Sequence, residues 1–465
     1  MNKIEKILFH RIEVWLVLLT IPLFIILLLI FGAMVRNVAH EGSTFGIIGE
    51  IAYKLASVPS KLNQIITYED PHSISAKMKL KRDKKAANDT HFRFADRSGF
   101  SYTYETNSGI IEDYLLLSRY DGDKGYSVVE LYDLDRQQHI YTWPMDDSKF
   151  RTQKFDNQFI SYPNEENVKL IAKHPQIAGD GSLVFHAESS PLYSISTCGA
   201  INWFNAEFAY HHSLERDDDG NYWVPGLRQT KLDTFDEEYK DDHIVKISSA
   251  GKVLYSKSVT EILQENDLIN RMYVYDEYVT DTIHLNDIEP VSEDAEHWNK
   301  GDVLLSIGHL NMIMLYRPGT GRVIWWSQDR IMHQHDIDII GDGKISVYNN
   351  NRTTRAEGDL VIGLNELLVW DISSNRFAPH YQEAFEKFEI KTINQGLHDF
   401  SNDGNVMVDE TNYGRVLMFD ETGHLYWEFI NRADNGKVFS TRWPRLIPKQ
   451  LGMAAEKAIA SHACN

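Results

Sequence analysis

Residues 398–429 read HDFSNDGNVMVDETNYGRVLMFDETGHLYWEF, and this stretch decides the fold. A histidine opens a short run, an Asp-Gly turn follows, and further runs rich in Val, Leu, Met and aromatic residues continue through Trp427. Short runs of this composition, separated by Gly, Asn and Asp, indicate β-strands joined by hairpins. The stretch therefore predicts four consecutive antiparallel strands.

The same pattern recurs along the chain. The segments HPQIAGDGSLVFHAESSPLYSISTCGAINWF (174–204), HSLERDDDGNYWVPG (212–226) and HDIDIIGDGKISVYNNN (335–351) each begin with His and turn at Asp-Gly. We count six repeats, at about 113–145, 173–204, 211–258, 284–326, 333–375 and 397–429. Four strands per repeat is the pattern of a β-propeller blade. The sequence thus predicts an all-β fold, a six-bladed β-propeller at 98–450, whereas a β-sandwich would lack this periodic register.

Two further details of the propeller follow from the segments between and beyond the repeats. The segments 92–104 and 438–447 are expected to pair and close the ring. Helical patterns occur only at 260–275 and 380–390, and we expect both to be insertions. Residues 451–465 are predicted to be a C-terminal tail.

The amino-terminal segment is predicted to anchor the chain in a membrane. Residues 14–35 carry no charge and, at ~1.5 Å per residue, form a helix long enough to cross the hydrocarbon core. Lys3, Lys6 and Arg11 precede it, which places the short tail 1–13 in the cytoplasm. We therefore predict a single transmembrane helix, an uncleaved signal anchor. It would sit in the inner (cytoplasmic) membrane, with the propeller in the periplasm or outside the cell.

The segment between anchor and propeller, 36–97, is predicted to be an amphipathic helix followed by a basic stalk. Apolar residues at helical spacing occupy 44–66, and a polar run rich in Lys follows at 77–97. The simpler interpretation of the basic run is a solvent-exposed stalk, and the alternative is a segment that contacts anionic lipid.

Composition excludes several classes of protein. The chain has 465 residues, 43% of them hydrophobic, and a net charge of −20, with the acidic surplus after residue 97. Such an acidic body is a poor binder of nucleic acid, and the hydrophobic content is wrong for a disordered chain. The two cysteines, Cys198 and Cys464, form neither a disulfide framework nor a CxxC metal site. They are either one disulfide bond or two unpaired thiols.

Five histidines share one place in the repeat, at the start of its first strand. Because the first strand of each blade lines the central channel of a propeller, we expect these side chains to gather at one mouth of the channel. They are His174, His212, His284, His335 and His398. A repeated histidine can also serve the fold alone, by bonding to a backbone carbonyl or a nearby Asp. Clustered imidazoles otherwise suit metal binding or the transfer of an anionic group.

Arginines near this mouth favour the transfer of an anionic group. Arg352 and Arg355 follow the second strand of the fifth repeat, and Arg442 and Arg445 lie in the closing segment. Cationic side chains repel a metal ion and attract an oxyanion. We therefore predict group transfer at this mouth, with no metal ligand and no cofactor.

Four short motifs carry a resemblance to a known family. They are HHSLERDDDGNYWVP (211–225), QHDIDIIGDGKISVYNNNR (334–352), GLHDFSNDGNVMVDE (396–410) and STRWPRLIP (440–448). In this order they resemble the bacterial arylsulfate sulfotransferase family, over most of 100–450. The resemblance implies a six-bladed propeller that moves a sulfuryl group from an aryl sulfate to another phenol, by a ping-pong mechanism through a sulfated histidine.

The resemblance also implies roles for single residues. His398, in GLHDF, would be the nucleophile, while His212 and His335 would bind sulfuryl oxygens and assist proton transfer. Either Arg352 or Arg355 would hold the sulfuryl group. His211 is an alternative to its neighbour His212. Apart from the resemblance, the repeat register adds His284 and His174, and the closing segment adds Arg442 and Arg445, as expected substrate-binding residues.

Three functions remain in competition at this point. The first is a membrane-anchored sulfotransferase whose partners are a small aryl sulfate donor and a hydroxyl acceptor, which a tethered enzyme would find on a lipid-linked or nascent surface glycan. The second is a non-catalytic propeller that acts as a scaffold in envelope or surface-polysaccharide assembly. The third is a quinone- or metal-dependent oxidoreductase, for which we find no adjacent cysteine pair. The sulfotransferase is preferred.

Overall fold

The structure is a computed structural model. It describes residues 14–39, 44–49, 51–56, 94, 97–165, 169–230, 232, 234–273, 279–341, 343–355, 358–462 and 464. The chain divides into two compact units, Met1–Asp70 and Pro71–Asn465.

The first unit contains one long apolar helix, α1 (Val14–Ala39). Its segment Leu18–Asn37 is apolar and long enough to cross a membrane, and none of that segment is buried by protein. Membrane spans and signal sequences share these properties, and the segment matches the predicted one. Further helical turns occur at 46–49 and 51–56, within the predicted amphipathic segment, whereas the basic run lies almost wholly outside the described residues.

The second unit is all-β apart from short helices. The strands are β1 (Gly99–Tyr102), β2 (Tyr114–Asp121), β3 (Tyr126–Asp133), β4 (Gln138–Trp143), β5 (Lys173–Ile177), β6 (Leu183–His186), β7 (Ser190–Ile195), β8 (Ile201–Tyr210), β9 (Glu215–Arg216), β10 (Tyr222–Gln229), β11 (Lys240–Ile247), β12 (Val253–Ser258), β13 (Leu285–Pro290), β14 (Val303–Ile307), β15 (Met312–Arg317), β16 (Arg322–Ser327), β17 (Ile337–Ile339), β18 (Lys344–Asn349), β19 (Arg352–Arg355), β20 (Gly358–Val361), β21 (Glu366–Asp371), β22 (Arg376–His380), β23 (Leu397–Phe400), β24 (Val406–Glu410), β25 (Arg415–Phe419), β26 (Leu425–Ile430) and β27 (Arg445–Ile447). The helices are α2 (Asp147–Phe150), α3 (Val259–Glu265), α4 (Gln382–Lys387) and α5 (Lys449–Ser461), with single 3₁₀ turns at Ile269–Met272 and Thr411–Tyr413. The two predicted helical insertions, at 260–275 and 380–390, are confirmed by α3 and α4.

The sheets follow the predicted repeats in a propeller-like arrangement. Four repeats each supply one sheet, in the orders β27-β2-β3-β4, β13-β14-β15-β16, β17-β18-β21-β22 and β1-β26-β25-β24-β23. The repeats 173–204 and 211–258 share one eight-stranded sheet, ordered β12-β11-β10-β8-β7-β6-β5 with β9 beside β10, and β19 and β20 form a separate hairpin. The all-β, propeller-like prediction is thus confirmed, and the division into six separate blades stays a prediction.

The ring closes differently from the expectation that 92–104 and 438–447 pair with each other. Strand β1 adds to the last sheet, with Phe100 opposite Phe429, and β27 adds to the first sheet, with Leu115 opposite Leu446. The first strand therefore belongs to the last sheet, and the last strand belongs to the first sheet. This pairing holds the two ends of the chain together by backbone hydrogen bonds.

The segment predicted to be a C-terminal tail contains α5. Its residues Leu451, Ala455 and Ile459 pack on the apolar cluster that holds Tyr114 and Trp143. Beyond the helix, Cys464 forms a disulfide with Cys198 in the β7–β8 turn, with Cα atoms 5.3 Å apart. Of the two alternatives left open for the cysteines, the structure therefore shows the bonded one.

Candidate active site

A cavity of about 600 Å³ lies where the chain enters several of the inner strands. Its lining is mostly cationic or imidazole, and comprises Lys169, Ile171, Lys173, Glu188, His212, His284, His309, His333, His335, Arg352, Asn394, Gln395 and Arg442. Five of these lining residues were predicted from the sequence, namely His212, His284, His335, Arg352 and Arg442. We call it the histidine cavity.

A repeated backbone turn places imidazoles in the histidine cavity. His212, His284 and His333 have positive φ angles of 59°, 52° and 54° and lie just before β9, β13 and β17. A left-handed conformation is uncommon outside glycine and changes the chain direction sharply. In each repeat it turns the chain into the first strand and leaves the histidine at the wall of the cavity.

His212 is held by a chain of two hydrogen bonds that ends on a buried carboxylate. Asp242 Oδ1 lies 2.8 Å from His211 Nε2, and His211 Nδ1 lies 2.7 Å from His212 Nδ1. A carboxylate only accepts hydrogen bonds, so His211 donates from Nε2, and its Nδ1 serves as the acceptor for His212. His212 then donates from its own Nδ1, which leaves the lone pair on Nε2. No hydrogen bond to that atom occurs among the described residues.

The protonation of His212 follows from its surroundings. The side chain is nearly fully buried, and Lys173 also lines the cavity. Burial, and then the positive charge of Lys173, lower the pKa of His212 well below its ordinary value. The imidazole is therefore neutral near pH 7 and presents an unprotonated nitrogen.

His284 forms a second imidazole–carboxylate pair beside the first. Its Nδ1 lies 3.2 Å from Asp281 Oδ1, and its ring centroid lies 4.9 Å from that of His212. The ring of His309 stacks on it at 4.1 Å, and His333 follows at 5.5 Å. The result is a column of three imidazoles along one wall of the histidine cavity.

Both ring nitrogens of His335 are already occupied. Nδ1 lies 2.8 Å from Asn350 Oδ1, and the backbone N–H of Gln395 donates to Nε2 at 2.8 Å. Burial lowers the pKa of this imidazole well below its ordinary value, although the Asn350 contact opposes the shift. His335 is therefore a fixed neutral part of the wall.

Three cationic side chains face the imidazoles. Arg442 donates from Nη1 to Gln395 Oε1 at 3.3 Å, while its buried Nε has no hydrogen-bond partner among the described residues. Arg352 contacts His333 Nε2 and pairs with Asp359 at 3.0 Å, and Lys173 pairs with Glu188 at 2.9 Å. A buried, incompletely bonded guanidinium among neutral imidazoles suits an anionic ligand.

Comparison with known proteins identifies the family. A family model described as Arylsulfotransferase (ASST) matches residues 174–432, which is more than half of the chain. The chain belongs to the arylsulfotransferase family. No curated protein matches it. Among solved structures, a Bacteroides caccae protein of unknown function has 12% identity and a TM-score of 0.46, covering 73% of this chain and 100% of its own. A Staphylococcus aureus virginiamycin B lyase has 10% identity and a TM-score of 0.33, covering 70% of this chain and 88% of its own.

Membership of the arylsulfotransferase family implies a sulfotransferase-type transferase that acts on small molecules. The matched residues include nine of the thirteen that line the histidine cavity, while Lys169, Ile171, Lys173 and Arg442 lie outside the match. The two structural likenesses are too distant to add to this.

His398 does not occupy the same position in its repeat as His335, contrary to the prediction. His335 stands eight residues before the turn glycine Gly343, whereas His398 stands only six before Gly404. A shift of two residues keeps the side chain on the same face of its strand but moves it about 7 Å further along. Gly396 occupies the matching position in this last repeat, where an added Cβ would lie 2.4 Å from Tyr348. His398 is therefore fully buried deeper in the channel and does not line the histidine cavity.

Other predicted residues also lie outside the cavity lining. Arg445 forms a bidentate pair with Glu215 at 2.9 Å and contacts His174, whose Nδ1 accepts the Leu214 N–H at 3.3 Å. His174 and Arg445 thus connect the end of the chain to the eight-stranded sheet. His211 lies directly behind His212. The side chain of Arg355 is outside the described residues.

Sequence reasoning missed several members of the site. His333 stands two residues before His335, and its left-handed backbone brings its ring to within 5.3 Å of the His335 ring, which the repeat pattern did not indicate. His309 lies in the β14–β15 turn, where no first-strand pattern would find it. Asp242 is a fully buried carboxylate in β11, and such a group needs a partner, but its burial becomes visible only in the folded chain. Lys173 and Gln395 come from positions that only the folded chain brings to the cavity.

Proposed function

We propose that this chain transfers a sulfuryl group from an aryl sulfate to a hydroxyl acceptor in two steps, through a sulfohistidine formed on His212. One observation carries the choice of nucleophile. Nε2 of His212 is unprotonated and has no protein partner among the described residues, while its Nδ1 is held by the His211–Asp242 chain. His398, for which the motif resemblance implied this role, is enclosed by Asp336, Asp338 and Ser346 instead.

In the first step, the Nε2 lone pair of His212 bonds to sulfur and the bond from sulfur to the aryl oxygen breaks. The aryl oxygen leaves with the electron pair of that bond and takes a proton from solvent. The proton on Nδ1 shifts toward His211, whose own proton on Nε2 faces Asp242. A neutral imidazole is a competent nucleophile when an adjacent group holds it and accepts charge in this way.

In the second step, the acceptor hydroxyl attacks the same sulfur. We assign the acceptor's proton to Nε2 of His284, the second imidazole whose other nitrogen faces a carboxylate, Asp281. The sulfur–nitrogen bond then breaks and returns the lone pair to His212. A base within reach of the attacking hydroxyl contributes roughly 10²–10⁴-fold to such steps.

The cations of the histidine cavity stabilise the charge on the sulfuryl oxygens. Sulfuryl transfer resembles phosphoryl transfer, in which a loose transition state spreads negative charge over three oxygens. Arg352, Arg442 and Lys173 line the cavity that holds His212. Fixed cations in a buried site need no reorganisation as the charge develops.

The proposal includes the setting of the enzyme. We propose a six-bladed propeller, with its second and third blades joined in the eight-stranded sheet, tethered by α1 to the cytoplasmic membrane. The N-terminus would be cytoplasmic and the propeller periplasmic or extracellular. The disulfide between Cys198 and Cys464 supports this location, because disulfides persist mainly in oxidising compartments.

The test is turnover of a chromogenic aryl sulfate by the full chain in detergent, with and without added phenols. We expect phenol release that depends on acceptor concentration, with the parallel double-reciprocal plots of a ping-pong mechanism. His212→Asn should abolish release, while His139→Asn, at an exposed histidine outside the cavity, should behave as wild type. Absence of release with any aryl sulfate, from folded protein, would contradict the proposal and favour the scaffold alternative.

A further inference from the structure

Beyond the histidine cavity, the channel becomes acidic. Six carboxylates influence one another there, which are Glu215, Asp287, Glu289, Asp336, Asp338 and Asp399. The cation that offsets them, Arg445, already makes a bidentate pair with Glu215. Such a group of carboxylates gains stability from any additional positive charge.

His398 lies against these carboxylates in an unusual geometry. Its Nδ1 is 2.6 Å from Asp336 Oδ2, yet that nitrogen is buried and makes no hydrogen bond with it. Asp338 Oδ2 lies 3.1 Å from Nε2 of the same ring and is also buried without a hydrogen bond. Polar atoms that lie this close without a hydrogen bond between them are expected where both bind the same ion. Two ligands of an ion about 2.1 Å away stand roughly 3 Å apart.

We propose that Asp336, Asp338 and His398 bind a divalent transition-metal ion inside the channel. One ligand atom from each of the three residues lies within 4.8 Å of the other two. One imidazole and two carboxylates suit Zn²⁺ or Mn²⁺ better than Ca²⁺ or Mg²⁺, which prefer oxygen alone. The site is separate from the histidine cavity and does not rest on the proposed sulfuryl transfer.

The neighbours of the three residues match a metal site. Ser346 Oγ lies 2.6 Å from His398 Nε2, so the ring can donate from Nε2 to the hydroxyl and keep its Nδ1 lone pair for the ion. Asp336 Oδ2 accepts the backbone N–H of His398 at 2.9 Å, which fixes the carboxylate. Ligands from β17 and β23 would connect two neighbouring sheets, so the ion would stabilise the ring.

A route for the ion is present as well. A cavity of about 750 Å³ opens at this end of the inner strands, and both Asp338 and Asp399 line it. The Asp338 side chain is 31% exposed, whereas Asp336 and His398 are enclosed. An ion can therefore meet Asp338 first and pass inward to the other two ligands.

Two other groups of His and carboxylate side chains are weaker candidates. Glu188 with His211 and His212, and Asp281 with His284 and His309, have comparable spacing. Both groups border the histidine cavity, where Lys173, Arg352 and Arg442 oppose a cation. The acidic end of the channel has the opposite charge balance.

The experiment is a metal titration of the full chain in detergent after treatment with a chelator. Zn²⁺ and Mn²⁺ are the probes, with Ca²⁺ and Mg²⁺ for comparison. We expect one equivalent of Zn²⁺ or Mn²⁺ to bind and to raise the melting temperature. Nitrogen coupling from His398 should appear in the electron-spin-echo spectrum of bound Mn²⁺. Failure of both ions to bind would overturn the proposal.

Variants locate the ion. Asp338→Asn and His398→Gln should each weaken binding at least tenfold, and His398→Gln should remove the nitrogen coupling. Two control variants should bind the ion as the wild type does. They are Asp403→Asn, at an exposed acid in the β23–β24 turn, and His284→Asn, in the histidine cavity. Undiminished affinity in His398→Gln, or loss of the ion in His284→Asn, would place the metal elsewhere and overturn the proposal.

A fourth variant separates metal binding from folding. Ser346→Ala keeps all three ligands and every charge but removes the hydroxyl at His398 Nε2. Loss of such an outer partner typically costs 10–100-fold in metal affinity. We expect at least a tenfold loss in a protein whose metal-free melting temperature is that of wild type. Unchanged affinity would show that His398 is not a ligand.

Discussion

Replacing Asp242 by asparagine should disable His212 without disturbing the cavity around it. In the wild type, Asp242 Oδ2 accepts the backbone N–H of Leu285 at 3.2 Å and Oδ1 faces His211 Nε2. The asparagine oxygen would keep the Leu285 contact, so its NH₂ group would face His211. That NH₂ donates, which reverses both hydrogen bonds of the chain and moves the His212 proton onto Nε2, where it blocks the lone pair.

The magnitude follows from the buried donors that the reactive tautomer leaves unpaired. To react, the variant must return to the wild-type tautomer, in which His212 still donates to His211 but the Nε2–H of His211 faces the NH₂ of the introduced asparagine, so that two buried donors lack an acceptor. Each costs about 1–3 kcal/mol when left unpaired, which sums to about 2–6 kcal/mol. At about 1.4 kcal/mol per factor of ten, the rate of sulfohistidine formation should fall by about 30-fold to 10⁴-fold.

The assay is the single-turnover burst of phenol release, together with the steady-state kcat and the donor KM. The donor KM should stay within about threefold of wild type, because the cations that bind the sulfuryl oxygens are untouched. The matched control is Asp241→Asn, the same exchange at the next residue of β11, whose carboxylate bonds Ser258 and His243 instead. A burst in Asp242→Asn slowed by less than threefold, or no more than in the control, would refute the reasoning.

Three further predictions concern stability. Joint Cys198→Ser and Cys464→Ser exchange opens a loop of 266 residues and should cost about 5 kcal/mol, seen as a lower melting temperature that reductant no longer changes. Burial lowers the pKa of His186 to about 4, despite the opposing hydrogen bond to Ala187 O, so between pH 6.5 and 4 only the unfolded chain binds its proton. That stability is present above pH 6.5 and lost as the pH falls, so His186→Leu should gain about 3 kcal/mol on wild type between pH 7 and pH 4 in thermal melts. Gly452→Ala places a Cβ 2.3 Å from the Tyr114 ring and should lower the melting temperature by the equivalent of about 1–3 kcal/mol through displacement of α5.

The repeat could be predicted from the sequence because its signals are local. Asp-Gly turns and alternating apolar residues within a few positions of each other fix each strand and hairpin, as in the 398–429 stretch. The same reasoning found both helical insertions and the apolar N-terminal segment. It did not find that two repeats share one sheet, or that β1 and β27 exchange ends, because pairing between distant strands leaves no local pattern.

The site was predicted less completely, for two physical reasons. The prediction aligned the repeats by the first histidine of each. The position along the strand is set instead by the distance to the turn glycine. By that distance, His398 lies two residues further along its strand than His335. The second reason is that the chain from Asp242 through His211 to His212 joins β11 to another part of the sheet. Contacts of that kind depend on packing, as does the disulfide, whose cysteines are 266 residues apart.

The central claim is that a sulfuryl group is carried by His212, and direct trapping tests it. The full chain would be mixed with an aryl sulfate in the absence of acceptor, quenched within one turnover, digested at alkaline pH and mapped by mass spectrometry. The account predicts one sulfuryl group on the peptide that contains His212, lost when a phenol is added before the quench and absent in His212→Asn. A sulfuryl group on His398, or phenol release with no covalent intermediate, would contradict it.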